Sequence, residues 1–246
     1  AGGMLAVHTM AVKYTSQAYL EALPLLASLV AVLALHRSSR SRDRWFWLSA
    51  LALGVTAASK FTYLPIVFVL LYLAIWEKRS RWSDLVLYFA LSLAAFWLLN
   101  PTLWRDPVGR LADTLFFHAR YSQGARVQLA GYPWYQPFYW ISRSPPSLWH
   151  PDAFFYFALD GVIFLLALPG LYWEWRERRW VVVWIASGVL FLLLWPTKWP
   201  QYTLILTPAL CLSASSTVRN LYHLVRRYDI AVAWFRVMFP RPPLAF

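Results

Sequence analysis

The stretch LLLWPTKWPQYTLILTPAL, residues 192–210, decides which fold the sequence predicts. Two apolar runs meet at a turn that holds two tryptophans, two prolines and one cation, Lys198. Similar runs recur along the chain, because 60% of its 246 residues are hydrophobic and only 14% are charged. Globular domains carry about 25% charged residues, so this composition is typical of a protein that lies in lipid. The sequence therefore predicts an all-α polytopic transmembrane helical bundle.

The predicted bundle has about seven spans plus part of an eighth, since each apolar run approaches the length needed to cross roughly 30 Å of hydrocarbon. The opening AGGMLAVHTMAV resembles the end of a helix and lacks an initiator methionine, so we expect a fragment of a longer protein. The whole chain, 1–246, is expected to form a single transmembrane domain. The spans predicted from hydropathy are residues 18–36, 45–59, 62–76, 85–99, 152–173, 181–195 and 202–218.

The distribution of basic residues predicts an orientation for this bundle. The segments HRSSRSRDR, EKRSRWSD and WEWRERRW, with everything after residue 218, hold 15 of the 23 lysines and arginines. The positive-inside rule then makes 219–246 a cytoplasmic basic tail and makes 100–151 an outer-face loop. The net charge of +12 is explained by this rule and by the attraction of basic residues to anionic lipid. The chain lacks a basic stripe with interleaved aromatic residues, so no nucleic-acid partner is predicted.

Several kinds of chemistry have no signature in this sequence. Cys211 is the only cysteine, which excludes disulfides within the chain and cysteine-based metal clusters. The five histidines form no HExxH motif, and no Walker A, GxGxxG or GxSxG motif occurs. No cofactor is therefore predicted, and a requirement for a divalent metal stays open.

Two predicted outer hairpins each carry one lysine followed closely by a tyrosine. Lys60 precedes Tyr63, and Lys198 precedes Tyr202. Each lysine could anchor a helix end at an interface, with its ammonium group reaching toward water. Alternatively, the two ammonium groups could hold one phosphate between them.

Two carboxylates lie inside or beside predicted spans, where charge is costly. Glu21 falls one turn into its span and shares a helix face with Gln17. It could pair with Lys13 or another cation, or it could stand at the mouth of a cavity. Asp160 lies about two turns inside its span. It could pair with a lysine or arginine from another helix, or it could have a catalytic role.

The predicted outer loop contains two distinct segments. RLADTLFFHARYSQG has apolar residues on one face, which predicts an amphipathic helix in the interface. The following segment, VQLAGYPWYQPFYWISRSPPSLWHPD, is rich in aromatic residues and proline. These aromatic rings could form an interfacial belt, or they could stack on sugars and contact an isoprenoid chain.

Four stretches together resemble a known family of enzymes. They are KYTSQAYLEALPLL, ALGVTAASKFTYLPIVFVLLYL, NPTLWRDPVGRLADTLFFHARYSQG with GYPWYQPFYWISRSPP, and WPTKWPQYTLILTPAL. Their order is similar to that in GT-C fold membrane glycosyltransferases of the protein-O-mannosyltransferase and aminoarabinose-transferase-like family, glycosyltransferase family 39. The resemblance implies transfer of a sugar from a polyprenyl-phosphate donor to an acceptor protein, lipid or glycan. It also implies a multi-pass protein of the bacterial plasma membrane with its site on the outer face.

The resemblance assigns roles to individual residues. It makes Glu21 a catalytic carboxylate of secondary importance. The family's principal catalytic aspartate would precede Ala1. Asp160 is the other catalytic candidate in this sequence. An alternative function is a non-catalytic scaffold or accessory subunit of a larger membrane complex, in contact with other membrane subunits. The donor phosphate ligands would be Lys60, Lys198, Tyr202, Arg120 and Arg126, and the substrate cleft would hold His118, Tyr121, Tyr132, Trp134 and Tyr135.

Overall fold

The computed structural model describes residues 1–16, 20–39, 42–78, 80–143 and 158–238, without the side chains of Leu115, His118 and 228–238. All regular structure in these ranges is helical, as predicted. The α-helices are α1 (Gly2–Val7), α2 (Thr9–Ser16), α3 (Ala22–Arg37), α4 (Arg44–Ser59), α5 (Ile66–Tyr72), α6 (Trp82–Leu98), α7 (Pro107–Tyr121), α8 (Ala125–Ala130), α9 (Gln136–Ser142), α10 (Asp160–Glu177), α11 (Arg179–Leu194) and α12 (Thr207–Met238).

The prediction of a transmembrane bundle is wrong. Across the described ranges, no helix is both long enough and apolar enough to cross a membrane. Helices α3, α4 and α11 have 16 residues each, which is about 24 Å at 1.5 Å per residue and short of the roughly 30 Å of hydrocarbon. This correction extends to three further predictions that depended on the membrane spans. They are the membrane sides of the loops, the interfacial position of the loop helix, and the plasma-membrane location with a site on the outer face.

The longer helices and one broken segment show why the apolar runs misled the prediction. Helix α10 has 18 residues, but it begins at Asp160 and its last turn reads EWRE. Helix α12 has 32 residues, and its apolar first part gives way to arginines from Arg219 onward. The run predicted as the span 62–76 is divided into a 3-10 turn at Phe61–Tyr63, the seven-residue α5 and a π-helical turn at Leu73–Glu77.

Two apolar clusters form the interior. The first lies among α3, α4, α5, α6 and α11, with Trp180 and Trp184 buried in it. The second joins α2, α9, α10 and α12 around the segment that follows α11. The indole N–H of Trp184 donates to the carbonyl of Ile205 at 2.8 Å and so connects the first cluster to the second.

Helices α10 and α12 approach most closely at Gly170. A Cβ atom placed on Gly170 would lie 2.0 Å from the carbonyl oxygen of Ser213, so only glycine permits this contact. The Ser213 hydroxyl donates to the Ala167 carbonyl at 2.7 Å across the same interface. One turn further along, buried Glu174 accepts hydrogen bonds from Ser216 and from the Arg178 guanidinium. The two helices are therefore joined by backbone proximity and by polar contacts.

The close contact at Gly170 predicts a loss of stability in Gly170→Ala. The added methyl group would collide with backbone rather than with a movable side chain, and such overpacking costs about 1–3 kcal/mol. Chemical denaturation measures the change in the free energy of unfolding. Gly3→Ala is the control, because Gly3 is helical and a Cβ there has open space around it. Equal stability of the two variants would contradict the proposed packing.

Candidate functional site

One ion pair joins two of the candidate residues, Glu21 and Lys60. Glu21 directly precedes α3 and is 1% exposed, while Lys60 directly follows α4. Because α3 and α4 are antiparallel neighbours, the start of one helix lies beside the end of the other. The Lys60 ammonium donates to Glu21 Oε1, and the Tyr63 hydroxyl donates to Glu21 Oε2 at 2.9 Å.

Burial changes the protonation behaviour of this cluster. Loss of water raises the pKa of Glu21, although the Lys60 ammonium and the two hydrogen bonds oppose that shift. Burial and the neighbouring carboxylate raise the pKa of Tyr63 well above its ordinary value. The phenol therefore stays protonated near neutral pH and acts as a hydrogen-bond donor. The Lys60 ammonium also lies 5.6 Å from the ring centroid of Tyr202, within cation–π distance.

Lys60 stands at the edge of a large pocket between α4, α6 and α7, which we call the apolar pocket. Its volume is about 670 Å³, within the range of roughly 300–1,000 Å³ that is usual for small-molecule sites. Most of its surface is apolar, and the polar side chains lie mainly toward the Lys60 and Asn100 ends of the helices. The lining residues are Leu53, Gly54, Ala57, Ala58, Ser59, Lys60, Phe61, Leu64, Val67, Phe89, Ser92, Leu93, Phe96, Asn100, Thr102, Leu103, Leu111 and Thr114.

Gly54 shapes the wall of the apolar pocket. A Cβ atom on Gly54 would lie 2.5 Å from both Ala95 Cβ and the Ser92 carbonyl oxygen. The absence of a side chain at Gly54 thus allows α4 and α6 to contact each other there. The apolar pocket lies next to this helix contact. The Ser92 hydroxyl donates to the Ala50 carbonyl at 2.8 Å, which holds the two helices together one turn away.

Lys198 has a different environment from Lys60. Its ammonium donates to the carbonyls of Leu192, Leu193 and Trp195 at 2.7, 2.8 and 2.6 Å. These carbonyls belong to the end of α11, where a cation is favoured by the helix dipole. An ammonium group has three N–H donors, and all three are used here. Burial lowers the pKa of Lys198.

Lys60 and Lys198, which the sequence analysis suggested could hold one phosphate together, lie in different pockets. Lys60 lines the apolar pocket, whereas Lys198 lines a smaller polar pocket of about 250 Å³. A phosphate shared by both would require the Lys198 ammonium to leave its three carbonyls. Tyr202 lies between the two regions, since its ring is near the Lys60 ammonium and 6.4 Å from the Trp195 ring.

Asp160 lies at the junction of α10 and α2. Its two carboxylate oxygens accept hydrogen bonds from the backbone N–H groups of Thr9 and Met10, at 2.7 and 3.1 Å. His8 Nδ1 lies 3.1 Å from Asp160 Oδ1, and both side chains are buried. The first N–H groups of a helix need hydrogen-bond acceptors from outside that helix. Asp160, although distant in sequence, supplies these acceptors at the start of α2. The sequence prediction had named lysine or arginine partners instead.

Of the remaining candidates, Tyr132 lines the polar pocket, Tyr121 is half-buried, and Arg120 and Arg126 are exposed. Arg126 lies 5.9 Å from the Trp199 ring, while Arg120 pairs with exposed Asp113. The rings of Trp134 and Tyr135 pack edge to face and are exposed, and Tyr121 stacks on Phe117. Gln17 and the His118 side chain fall outside the described residues. Within the described part of the chain, no three histidine, cysteine, aspartate or glutamate residues are grouped as metal ligands.

Sequence reasoning missed most residues that form the two pockets. Asn100, Thr102 and Thr114 reach the apolar pocket because α6 ends beside the start of α7, and Gln128 lines the polar pocket. None of these residues belongs to a local motif. Gly54 was the available signal, because a glycine between small residues indicates close helix packing.

Comparisons with known proteins give no family for this chain. No family model, curated protein or solved structure matches it. The resemblance to glycosyltransferases thus stays a hypothesis that depends on the four sequence stretches.

The burial of His8 beside Asp160 predicts acid sensitivity. Burial lowers the pKa of His8 below its ordinary value of 6.5, and Asp160 only partly opposes the shift. The unfolded chain therefore binds a proton more readily than the folded chain, so the stability present above pH 6.5 is lost as the pH falls through the folded-state pKa. Denaturation between pH 7 and pH 5 should show a weaker pH dependence in His8→Asn than in the wild type. The exposed His223→Asn is the control and should retain the wild-type dependence.

Proposed function

We propose that the chain binds a polyprenyl-phosphate-linked sugar and takes part in the transfer of that sugar to an acceptor hydroxyl. The observation that carries the proposal is an apolar pocket of about 670 Å³ with Lys60 at its edge. A polyprenyl phosphate has the matching chemistry, because its long apolar chain ends in an anion. The sequence resemblance points to the same class of donor.

The walls of the pocket suit the hydrocarbon part of such a ligand. Leu53, Phe89, Leu93 and Phe96 line it, and Leu93 is 64% exposed. Covering apolar surface contributes roughly 25 cal/mol for each Å² removed from water. An isoprenoid chain between α4 and α6 would gain binding energy without specific polar contacts.

Lys60 suits the phosphate. Its side chain is 24% exposed, whereas the carboxylate of Glu21 behind it is fully buried. Glu21 therefore orients the ammonium group, and Lys60 lines the pocket in which a phosphate would bind. A preorganised cation would stabilise the negative charge that develops on the phosphate as the sugar leaves.

Glu21 acts in this proposal as a positioning residue. Its carboxylate already binds Lys60 and Tyr63 and is closed off from solvent, so an acceptor hydroxyl cannot reach it directly. Activation of the acceptor needs another base. The family resemblance assigns that base to an aspartate outside the four matching stretches.

One observation favours the second candidate function, a non-catalytic scaffold. The charged groups of the predicted site each have intramolecular partners: Lys60 binds Glu21, Lys198 binds carbonyls and Asp160 caps α2. Such contacts stabilise packing without a ligand. The binding experiment below separates the two functions.

Farnesyl phosphate, a short polyprenyl phosphate, is the probe for the apolar pocket. Removing Lys60 alone would leave Glu21 buried without its cation, and a broken buried pair costs about 3–5 kcal/mol. The test variant is therefore the double substitution Glu21→Gln with Lys60→Met. We expect calorimetry to show at least about tenfold weaker binding of farnesyl phosphate, or 1.4 kcal/mol, while farnesol binds as before.

Lys78→Met is the matched control for this variant. Lys78 donates to the His36 carbonyl near the other end of α3, about 22 Å from Glu21 at 1.5 Å per residue. Failure of the wild type to bind farnesyl phosphate, or equal binding by the double variant, would favour the scaffold. Turnover of a polyprenyl-phosphate sugar by the protein would support transfer directly.

The proposal also predicts that filling the apolar pocket blocks both the phosphate and the alcohol. Ala57 lines the pocket, so Ala57→Phe should weaken binding of farnesyl phosphate and farnesol alike. Ala90→Phe places the same side chain at an exposed position of α6 that does not line the pocket. Fluorescence titration of both variants checks this difference. Unchanged binding by Ala57→Phe would exclude the apolar pocket as the site.

A further inference from the structure

We propose that the polar pocket is a separate binding site for one neutral sugar residue. This pocket has a volume of about 250 Å³ and lies between the α7–α8 region and the turn that follows α11. The inference depends on the geometry of this pocket and holds whether or not the apolar pocket binds a lipid phosphate. The lining residues are Ser122, Val127, Gln128, Gly131, Tyr132, Pro196, Lys198 and Trp199.

Two aromatic rings form a corner of the polar pocket. The rings of Tyr132 and Trp199 are perpendicular, with centroids 5.6 Å apart. Tyr132 is also perpendicular to Trp140 at 5.5 Å, so it is held between two tryptophans. The indole N–H of buried Trp140 donates to the Lys198 carbonyl at 2.9 Å and connects this aromatic group to the turn. The corner is thus fixed before any ligand binds.

Such a corner suits the shape of a pyranose. The face of an aromatic ring carries partial negative charge and is apolar. A pyranose presents C–H groups on its faces and hydroxyl groups around its edge. One aromatic ring of the pocket can therefore stack on a face of the sugar, while the hydroxyl groups at the sugar's edge form hydrogen bonds with polar groups of the protein.

Gln128 and Ser122 supply polar groups near that corner. The Gln128 side chain donates one hydrogen bond to the Ser122 carbonyl at 2.8 Å, which orients the amide. A primary amide has a second N–H and a carbonyl oxygen, so it can both donate to and accept from a sugar hydroxyl. The Ser122 hydroxyl donates to the Ala119 carbonyl at 2.7 Å, and its oxygen can still accept.

The charge distribution favours a neutral ligand over an anion. Lys198 is the cation that lines the pocket, and its three N–H groups all donate to carbonyls of α11. Arg126 lies against the Trp199 ring and does not line the pocket. A phosphate would therefore find no available ammonium donor, whereas a hydroxyl needs only the amide and serine groups.

The volume limits the ligand to a single ring. About 250 Å³ equals the liquid volume of roughly eight water molecules at 30 Å³ each. That space accommodates one monosaccharide, and further sugar units would extend into solvent.

Saturation-transfer NMR and calorimetry with methyl glycosides test the proposal. The probes are methyl glucoside, methyl mannoside, methyl galactoside and methyl N-acetylglucosaminide, each added to the full chain. We expect at least one to bind with a Kd on the order of 1 mM. Gln128→Leu should weaken that binding about tenfold or more, and Trp199→Leu should abolish the saturation transfer.

Two control variants distinguish loss of the site from loss of the fold. Gln123→Leu and Trp82→Leu change exposed residues that do not line the pocket, and both should bind like the wild type. Thermal unfolding identifies any variant that is destabilised. No binding by any glycoside, equal binding by Gln128→Leu, or competition by inorganic phosphate would each overturn the proposal. Farnesyl phosphate binding is measured separately, so failure of this site is distinct from failure of the apolar pocket.

Discussion

The buried pair of Glu21 and Lys60 is the contact on which the arrangement of the apolar pocket depends. It joins the start of α3 to the end of α4, and Tyr63 adds a hydrogen bond from the following turn. A buried pair of charges is stable only when its hydrogen bonds are complete, and removal of one partner is costly. The direction of the Lys60 ammonium, and therefore the chemistry of the pocket edge, follows from this constraint.

The sequence predicted helices and turns better than it predicted their environment. Lys60 and Lys198 do lie in turns between helices, and α7 occupies the predicted loop. The prediction of membrane spans was wrong because counting apolar residues ignores where helices stop. Pro65 and the π-helical turn at Leu73–Glu77 divide one run, and Asp160 begins another helix late. Hydropathy records composition, whereas helix length depends on caps, prolines and turns.

The candidate site was only partly predictable, because its contacts join distant residues. Glu21 and Lys60 were singled out separately, but their pairing is set by the antiparallel packing of α3 on α4. Lys198 and Lys60 look alike in sequence, since each precedes a tyrosine in a turn. Their environments differ because the Lys60 ammonium pairs with the Glu21 carboxylate from another helix, whereas the Lys198 ammonium donates to the last carbonyls of the helix that precedes it. Local sequence patterns do not distinguish these two outcomes.

The absence of a side chain at Gly170 has a mechanical consequence. Because the backbones are in contact at this point, α10 has little room to slide or rotate without displacing α12. The ends of α10 hold Asp160 against α2 and Glu174 against Ser216, about 21 Å apart at 1.5 Å per residue. A displacement of α2 would therefore be transmitted through α10 to Ser216 on α12.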